Sequence, residues 1–126
     1  MRYVAVEEII LIHSEIIDAT IGLHGVRDSG LLLSIVERPK LGLYGKEMYA
    51  GLWLKAAVYW QALACSHVFV DGNKRTAVAI TARFLYLNNY QLTASNRAVE
   101  DFVLQTVIDK LPLEDIAAWL KKHVKK

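Results

Sequence analysis

The chain has 126 residues, with 15 basic and 13 acidic side chains and a net charge of +2. Its hydrophobic fraction of 54% lies above the usual range of globular proteins, which excludes a disordered chain. The near balance of charges excludes nucleic-acid binding that depends on a strongly basic surface. We therefore expect residues 1–126 to form one folded domain that makes no direct contact with nucleic acid.

The sequence contains one cysteine, Cys65, which excludes a disulfide framework and a zinc site made of several cysteines. Because Cys65 lies in an apolar run, we expect a buried and inert thiol. The N-terminal segment lacks the uncharged core of a signal peptide, and the apolar stretches 51–66 and 76–87 are too short to span a bilayer. These features predict a cytoplasmic protein with no membrane contact.

The first third of the chain predicts two helices. Residues 6–20 carry one apolar stripe at the spacing of an amphipathic helix. That stripe comprises Val6, Ile9, Ile10, His13, Ile16 and Ile17. Asp28 is the expected N-cap of a short helix through Glu37, since its carboxylate can accept hydrogen bonds from the first free amides. Pro39 disfavours helix at the preceding residue and ends this element.

Residues 38–50 break the helical pattern with two glycines and two tyrosines, which favours a loop or a small hairpin. The next segments, residues 51–67 and 73–88, are apolar nearly all round, as is typical of central, buried helices.

Two further helices are expected at the C-terminal side, one from about Asn96 and one opened by Pro112 at its first turn. The final KKHVKK is interpreted as a solvated helix end whose charges complement the helix dipole. The fold class predicted from the whole chain is all-α, with about six helices and one short flap or hairpin near residues 38–50.

One polar stretch, HVFVDGNKRTA at residues 67–77, joins the two most buried predicted helices. Asp71, Gly72 and Asn73 form a turn signal directly before a helix start. Lys74 and Arg75 then fall in the first turn, where free amides and the helix dipole already supply positive charge. Since cations are unfavourable at that end of a helix, we suspect a functional site that binds an anion such as phosphate.

The neighbouring residues suggest a reaction on that anion. Asp71 beside a phosphate would be repelled unless a cation lay between them, and Mg²⁺ commonly binds through one carboxylate and substrate phosphates. His67, four residues earlier, can accept a proton from an attacking hydroxyl. A base, a metal ligand and a phosphate clamp are the parts required for phosphoryl or nucleotidyl transfer.

Each of these residues also has an ordinary structural interpretation. His67 can be a helix-end capping group, Asp71 to Asn73 a simple turn, and Lys74 with Arg75 a solvated pair. The stretch lacks the GxxxxGK[ST] spacing of a P-loop. A zinc site is poorly supported because His67 and Asp71 supply only two ligands.

The same stretch resembles the signature of the Fic/Doc (Fido) superfamily, H-x-F-x-[DE]-G-N-x-x-R or a close variant; here Arg75 follows Lys74 directly. With Lys74 after the asparagine, it is most similar to the Doc branch, the death-on-curing toxins of toxin–antitoxin modules. The segment GLHGVRDSGLLLSIVERPK at residues 22–40, the chain length and the helical pattern are similar as well. The resemblance thus covers essentially the whole chain.

The resemblance implies a role for each residue of the motif. His67 would be the general base and Asp71 the Mg²⁺ ligand, with Phe69 anchoring the loop. Gly72 and Asn73 would shape an anion-binding nest. The residues expected to hold the ATP phosphates are Asn73, Lys74 and Arg75. Residues 38–50 would form the flap that aligns a target segment by strand addition.

The sequence departs from the pattern of family members that transfer AMP. Lys74 replaces a glycine, and Val78 stands where a second arginine would be. The resemblance to the Doc branch therefore implies a protein kinase that transfers the γ-phosphate of ATP, with adenylyl transfer as the alternative. It also implies inhibition by a separate Phd-type antitoxin and a translation factor such as elongation factor Tu as target.

Two hypotheses from other classes remain open. The first is a non-catalytic module that binds nucleotide or a partner protein. The second is a nuclease or a nucleic-acid-binding toxin, which the near-neutral charge does not favour.

Overall fold

A computed structural model of the chain describes residues 1–126. The main elements are six α-helices: α1 (Val6–Asp18), α2 (Ser29–Glu37), α3 (Leu52–Cys65), α4 (Asn73–Leu87), α5 (Asn96–Ile108) and α6 (Leu113–Lys122). A 3₁₀ turn, Arg38–Lys40, follows α2. Two antiparallel strand pairs complete the fold: β1 (Gly42–Leu43) with β2 (Lys46–Glu47), and β3 (Gln91–Leu92) with β4 (Val124–Lys125). The predicted all-α fold with a hairpin in residues 38–50 is confirmed.

Helix α3 lies at the centre of the fold, with nine of its 14 residues buried. It packs against α4 on one side and α6 on another. This central position explains why its sequence is apolar nearly all round. Helix α3 therefore holds both segments attached to its ends: the flap (residues 38–50) before it and the α3–α4 loop (residues 66–72) after it.

Local capping interactions fix several helix starts. The Asp28 carboxylate accepts a hydrogen bond from the amide of Leu31 at 2.9 Å, which confirms the predicted N-cap of α2. The Ser95 hydroxyl does the same for the amide of Ala98 at 3.1 Å, at the start of α5. Such caps satisfy amides that have no partner within the helix.

Two details of the expected helices were wrong. Helix α1 ends at Asp18, and Ile10, placed on its buried stripe, is 44% exposed. The C-terminal residues are more than a solvated helix end: Lys121 and Lys122 close α6, but β4 then pairs with β3. The periodicity of a helix cannot reveal a two-residue strand whose partner lies more than thirty residues away.

Cys65 is exposed, contrary to the prediction of a buried thiol. It is the last residue of α3, where the helix leaves the core and the loop begins. An apolar run indicates a buried helix but not which of its last residues reach the surface.

None of the helices combines the length and the apolar composition needed to cross a membrane.

Candidate active site

The α3–α4 loop is fixed to the core by two apolar side chains. Val68 and Phe69 are 0% and 1% exposed. The Phe69 ring stacks on His13 of α1, with ring centroids 3.7 Å apart and planes within 9°. The Nε2 of His13 donates a hydrogen bond to the backbone carbonyl of Asp71 at 2.8 Å. His13 of α1 thus contacts the loop at two points, through the stacking on Phe69 and through the hydrogen bond to Asp71.

A second support comes from the α1–α2 segment (residues 22–28), which pairs with the loop in antiparallel fashion. The Arg27 amide donates to the Val68 carbonyl at 2.7 Å, and the Val70 amide donates to the Gly25 carbonyl at 3.1 Å. A bridge between Val26 and Phe69 lies between these bonds. The loop backbone is therefore held on the side facing this segment as well.

Asn73, the first residue of α4, binds back to the middle of the loop through its side chain. Its Oδ1 accepts a hydrogen bond from the amide of Phe69, and its Nδ2 donates to the carbonyl of Phe69, both at 3.0 Å. The Asn73 side chain is thereby engaged with the backbone of the loop. Both polar atoms of the side chain thus have partners in the loop, and the expected contact of Asn73 with phosphate stays a prediction.

Gly72 forms the turn into α4 with a left-handed backbone, φ 77° and ψ 19°. A side chain is disfavoured here because of this φ value and because an added Cβ would lie 3.0 Å from the Cδ1 of Ile17. No side chain caps α4, and its first turn holds no acidic residue. Unlike α2 and α5, α4 therefore presents its first amides without a capping oxygen.

Lys74 and Arg75 are exposed at this uncapped end. The side chain of neither residue forms a hydrogen bond or an ion pair with another residue of the chain. Arg75 lines a small pocket of about 290 Å³ together with Asp71 and Gly72, over a floor formed by Ile17 and the end of α1. The pocket thus lies beside the uncapped start of α4 and is lined by an unpaired guanidinium, which suits a phosphate group.

The Asp71 carboxylate faces the same pocket. Its Oδ2 accepts a hydrogen bond from the amide of Leu23 at 3.1 Å, and its other oxygen has no partner within the chain. No group of three or more histidine, cysteine or acidic side chains is arranged to hold a metal ion. A single carboxylate beside a phosphate pocket fits Mg²⁺, which takes one or two protein ligands and completes its shell with phosphate oxygens and water.

His67 lies at the opposite end of the loop and lines neither this pocket nor the groove described next. It was expected to end α3, but α3 ends at Cys65 and His67 follows in a left-handed conformation with φ 50°. Its carbonyl accepts a hydrogen bond from the Nε of Arg27 at 2.7 Å, and its side chain is exposed. A non-glycine residue with positive φ is uncommon, and here Arg27 holds it in place.

A larger groove of about 570 Å³ runs between α1, α4 and α5. Lys74 and Arg75 line this groove. Most of the other lining residues are apolar, including Val78 and Val103. Arg75 therefore borders both the small polar pocket and this apolar groove.

Two residues that hold the site together were missed by sequence reasoning. His13 was assigned only to the buried stripe of α1, although a lone histidine among isoleucines is a weak signal of a polar contact in the core. Arg27 gave no signal of its own, since its two bonds to the loop span about forty residues.

Comparison with known proteins places this arrangement in context. A model of the family described as "Fic/DOC family" matches residues 3–85, which include the α1–α2 segment and the whole loop. The protein named Toxin Doc, from Mycolicibacterium smegmatis, is 46% identical over 98 residues, 75% of each chain. Protein kinase doc, from Escherichia phage P1, is 30% identical over 122 residues, 97% of this chain and 95% of the phage protein.

Proposed function

Because the chain belongs to the Fic/DOC family, and within it to the Doc branch, we propose that it is a growth-inhibiting toxin that acts as an ATP-dependent protein kinase. Residues 1–126 act as one Fido domain. The observation that carries this proposal is the pocket shared by Asp71, Gly72 and Arg75 at the uncapped start of α4.

The terminal phosphates of ATP bind at this end of α4. The first amides of the helix, the Lys74 ammonium and the Arg75 guanidinium are the donors. Both cations are free of protein partners, so neither must break an ion pair before it binds phosphate. Gly72 lets the backbone approach the anion closely, since its αL conformation allows no bulky side chain.

Asp71 would hold Mg²⁺ through its carboxylate, of which one oxygen has no partner in the chain. The ion would neutralise the charge that builds up on the phosphate oxygens during transfer. The hydrogen bond from Leu23 orients the other carboxylate oxygen and keeps the side chain at the pocket.

His67 is the general base. Its neutral imidazole takes the proton from a hydroxyl of the target protein as that oxygen attacks the γ-phosphorus of ATP. The bond between the γ-phosphorus and the β–γ bridging oxygen breaks, and ADP leaves. The Arg27 bond to the His67 carbonyl and the buried Phe69 fix the backbone on both sides of Val68, so the imidazole is carried by a backbone that is already in place.

Transfer of the γ-phosphoryl group rather than AMP is supported by two positions of α4. Lys74 occupies space that a glycine leaves open in the AMP-transferring pattern. Val78 contributes an apolar side chain to the groove where that pattern has a second arginine. The name of the phage relative, Protein kinase doc, agrees with this choice. Adenylyl transfer is the alternative.

The target segment binds along the flap by strand addition, and a translation factor such as elongation factor Tu is the target we propose. All four strand residues of the flap are exposed, so its edge is free to pair with an extended peptide. We propose that a separate Phd-type antitoxin restrains the activity, as the name Toxin Doc of a relative suggests.

The proposed reaction is tested with ATP labelled at either the α or the γ phosphate, incubated with the protein, Mg²⁺ and a cell lysate. The variant His67→Ala is the matched control. Label transferred only from the γ position, and only with His67 present, supports the kinase. Label from the α position indicates adenylyl transfer. Absence of His67-dependent label from either position favours the non-catalytic binding module.

A further inference from the structure

Lys55 is the one charged side chain that α3 buries completely, at 0% exposure. It lies in the first turns of the central helix, among alanines and aromatic residues. Burying an ammonium group is costly unless hydrogen bonds replace its water. The partners that replace water around the Lys55 ammonium therefore show which part of the fold this buried charge holds in place.

The Lys55 ammonium makes three polar contacts, and all three are with the flap. It donates to the carbonyl of Pro39 at 2.9 Å and to the carbonyl of Tyr49 at 2.7 Å. The third contact is with Oε1 of Glu47, 3.3 Å away. An ammonium has three donors, so its capacity is matched by these partners.

These partners lie on both sides of the flap hairpin. Pro39 precedes β1, Tyr49 follows β2, and Glu47 is part of β2. A single cation thus joins the two chain ends where the hairpin leaves the body of the protein. Additional bonds at this base run from the Met48 amide to the Leu41 carbonyl at 2.9 Å and from the Arg38 Nε to the Tyr49 hydroxyl at 3.2 Å.

The hairpin has few other means of keeping its position. Each strand has two residues, all exposed, and a two-stranded hairpin of this size is marginal in water. The orientation of the hairpin relative to the helices must therefore be set mainly by the contacts at its two chain ends. Helix α3, which carries Lys55 near its start, also leads directly into the loop that contains His67.

We propose that Lys55 is a positioning residue that sets the flap relative to His67, so that a segment bound along the flap presents its hydroxyl to the base. The inference rests on the proposed function, because it assumes that the flap receives the target. Lys55 itself touches neither nucleotide nor target. It acts through the carbonyls of Pro39 and Tyr49 and through the carboxylate of Glu47.

The test compares Lys55→Met, which keeps the length of the side chain and removes its donors, with Lys121→Met, an exposed lysine on α6. Three quantities are measured: hydrogen exchange of the amides of residues 42–48, ATP affinity by calorimetry, and steady-state transfer to purified elongation factor Tu. For Lys55→Met we expect flap exchange and the KM for the factor to rise about tenfold, because hydrogen bonds to a charged group are lost. The flap then holds its productive orientation for a smaller fraction of the time, which weakens apparent binding but not the rate once the factor is saturating. The kcat at saturating factor and the ATP affinity should match those of Lys121→Met.

The outcomes separate this inference from the proposed function. An active wild-type protein whose Lys55→Met variant has unchanged KM and flap exchange overturns the role of Lys55 and leaves the kinase intact. Equal losses in KM, kcat and ATP affinity indicate a merely structural residue and also overturn it. No transfer by the wild type refutes the proposed function, and the positioning role falls with it.

If Lys55→Met does not fold, Glu47→Gln carries the test. Glu47 is half exposed, so this change removes the negative charge from one partner of Lys55 without opening the core. We expect flap exchange and KM to rise about threefold, in keeping with the strength of a partly exposed ion pair. Values equal to those of the wild type would overturn the proposal.

Discussion

The two segments attached to the ends of α3 are held in opposite ways. The α3–α4 loop inserts Val68 and Phe69 into the core and pairs its backbone with the α1–α2 segment. The flap leaves both of its strands exposed and is tied to the core through the buried ammonium of Lys55. One segment is thus fixed by apolar burial along its length and the other by polar contacts at its base.

This difference suits the tasks that we propose for the two segments. A base and a phosphate site must keep their geometry to a fraction of an ångström, which a packed and fully bonded loop provides. A surface that adds a strand from another protein must keep its edge free, so burial along its length is excluded. The following predictions test this contrast, from the largest expected effect to the smallest.

Substitution of His67 should have the largest effect on activity. We expect His67→Ala to reduce kcat by roughly 10²- to 10⁴-fold, the usual contribution of a general base, and to leave ATP affinity unchanged. Transfer is measured with labelled ATP and binding by calorimetry. His123→Ala, which alters a histidine outside the loop, is the control and should keep its activity. A His67→Ala variant that stays substantially active would contradict the assignment.

Substitution of Phe69 in the loop should lower the free energy of unfolding, whereas a matched substitution in the flap should not. Phe69→Ala removes a fully buried ring and its stacking on His13, so we expect a loss of about 3–5 kcal/mol in the free energy of unfolding. The matched change in the flap, Tyr44→Ala, removes a side chain that is 94% exposed and should leave stability unchanged. Urea denaturation measures both. Equal midpoints for the two variants would show that the loop is not held by burial.

Substitution of Arg75 should weaken nucleotide binding. We expect Arg75→Ala to lower ATP affinity about 10- to 100-fold, because the guanidinium contributes charge-assisted hydrogen bonds to phosphate. Arg97→Ala, on the exposed face of α5, is the control with the same change of charge. Calorimetry at fixed ionic strength measures the affinities. Indistinguishable values for the two variants would remove Arg75 from the phosphate site.

The smallest effect concerns Cys65, at the junction of α3 and the loop. Although Cys65 is exposed, the thiol is partly desolvated by its neighbours, which raises its pKa above the ordinary value, and the positive charge of Lys74 acts in the opposite direction. Because the thiolate is the reactive form, alkylation near neutral pH should be slower than in the unfolded chain, and slower still in Lys74→Met. The shift also means that its contribution to stability is present below the ordinary pKa and is lost as pH rises through the raised one.

Alkylation rates between pH 7 and pH 10, followed by mass spectrometry, measure this reactivity. A folded protein that reacts faster than the unfolded chain at neutral pH, or a Lys74→Met variant that reacts faster than the wild type, would contradict the sign of the shift.

Much of the fold could be predicted from the sequence because its signals are local. The periodicity of α1, the cap at Asp28 and the helix-breaking pattern of residues 38–50 each depend on residues within one or two turns. The motif at residues 67–77 likewise predicted a turn and a helix start with cations in its first turn. These local preferences agree with the tertiary structure, and the elements predicted from them are present in it.

The interactions that the sequence did not reveal are long-range and polar. His13 and Arg27 bond to backbone carbonyls 58 and 40 residues away, and Lys55 bonds to carbonyls 16 and 6 residues away. A carbonyl carries no sequence identity, so none of these bonds could be foreseen. Lys55 is the one charged residue of the apolar stretch 51–66, yet it is among the most buried residues of the chain. The exposure of Cys65 was missed for a related reason, since the point where a helix leaves the core depends on its neighbours.

An aromatic cluster ties the central helix to the last two helices. The Trp60 ring of α3 lies 5.7 Å from Phe102 of α5 and 5.8 Å from Trp119 of α6, and its Nε1 donates to the Thr106 hydroxyl at 3.0 Å. During synthesis, one side of α3 stays uncovered until α5 and α6 have left the ribosome. The loop and the flap both depend on α3, so we expect the site to be completed only once α5 and α6 have packed against that helix.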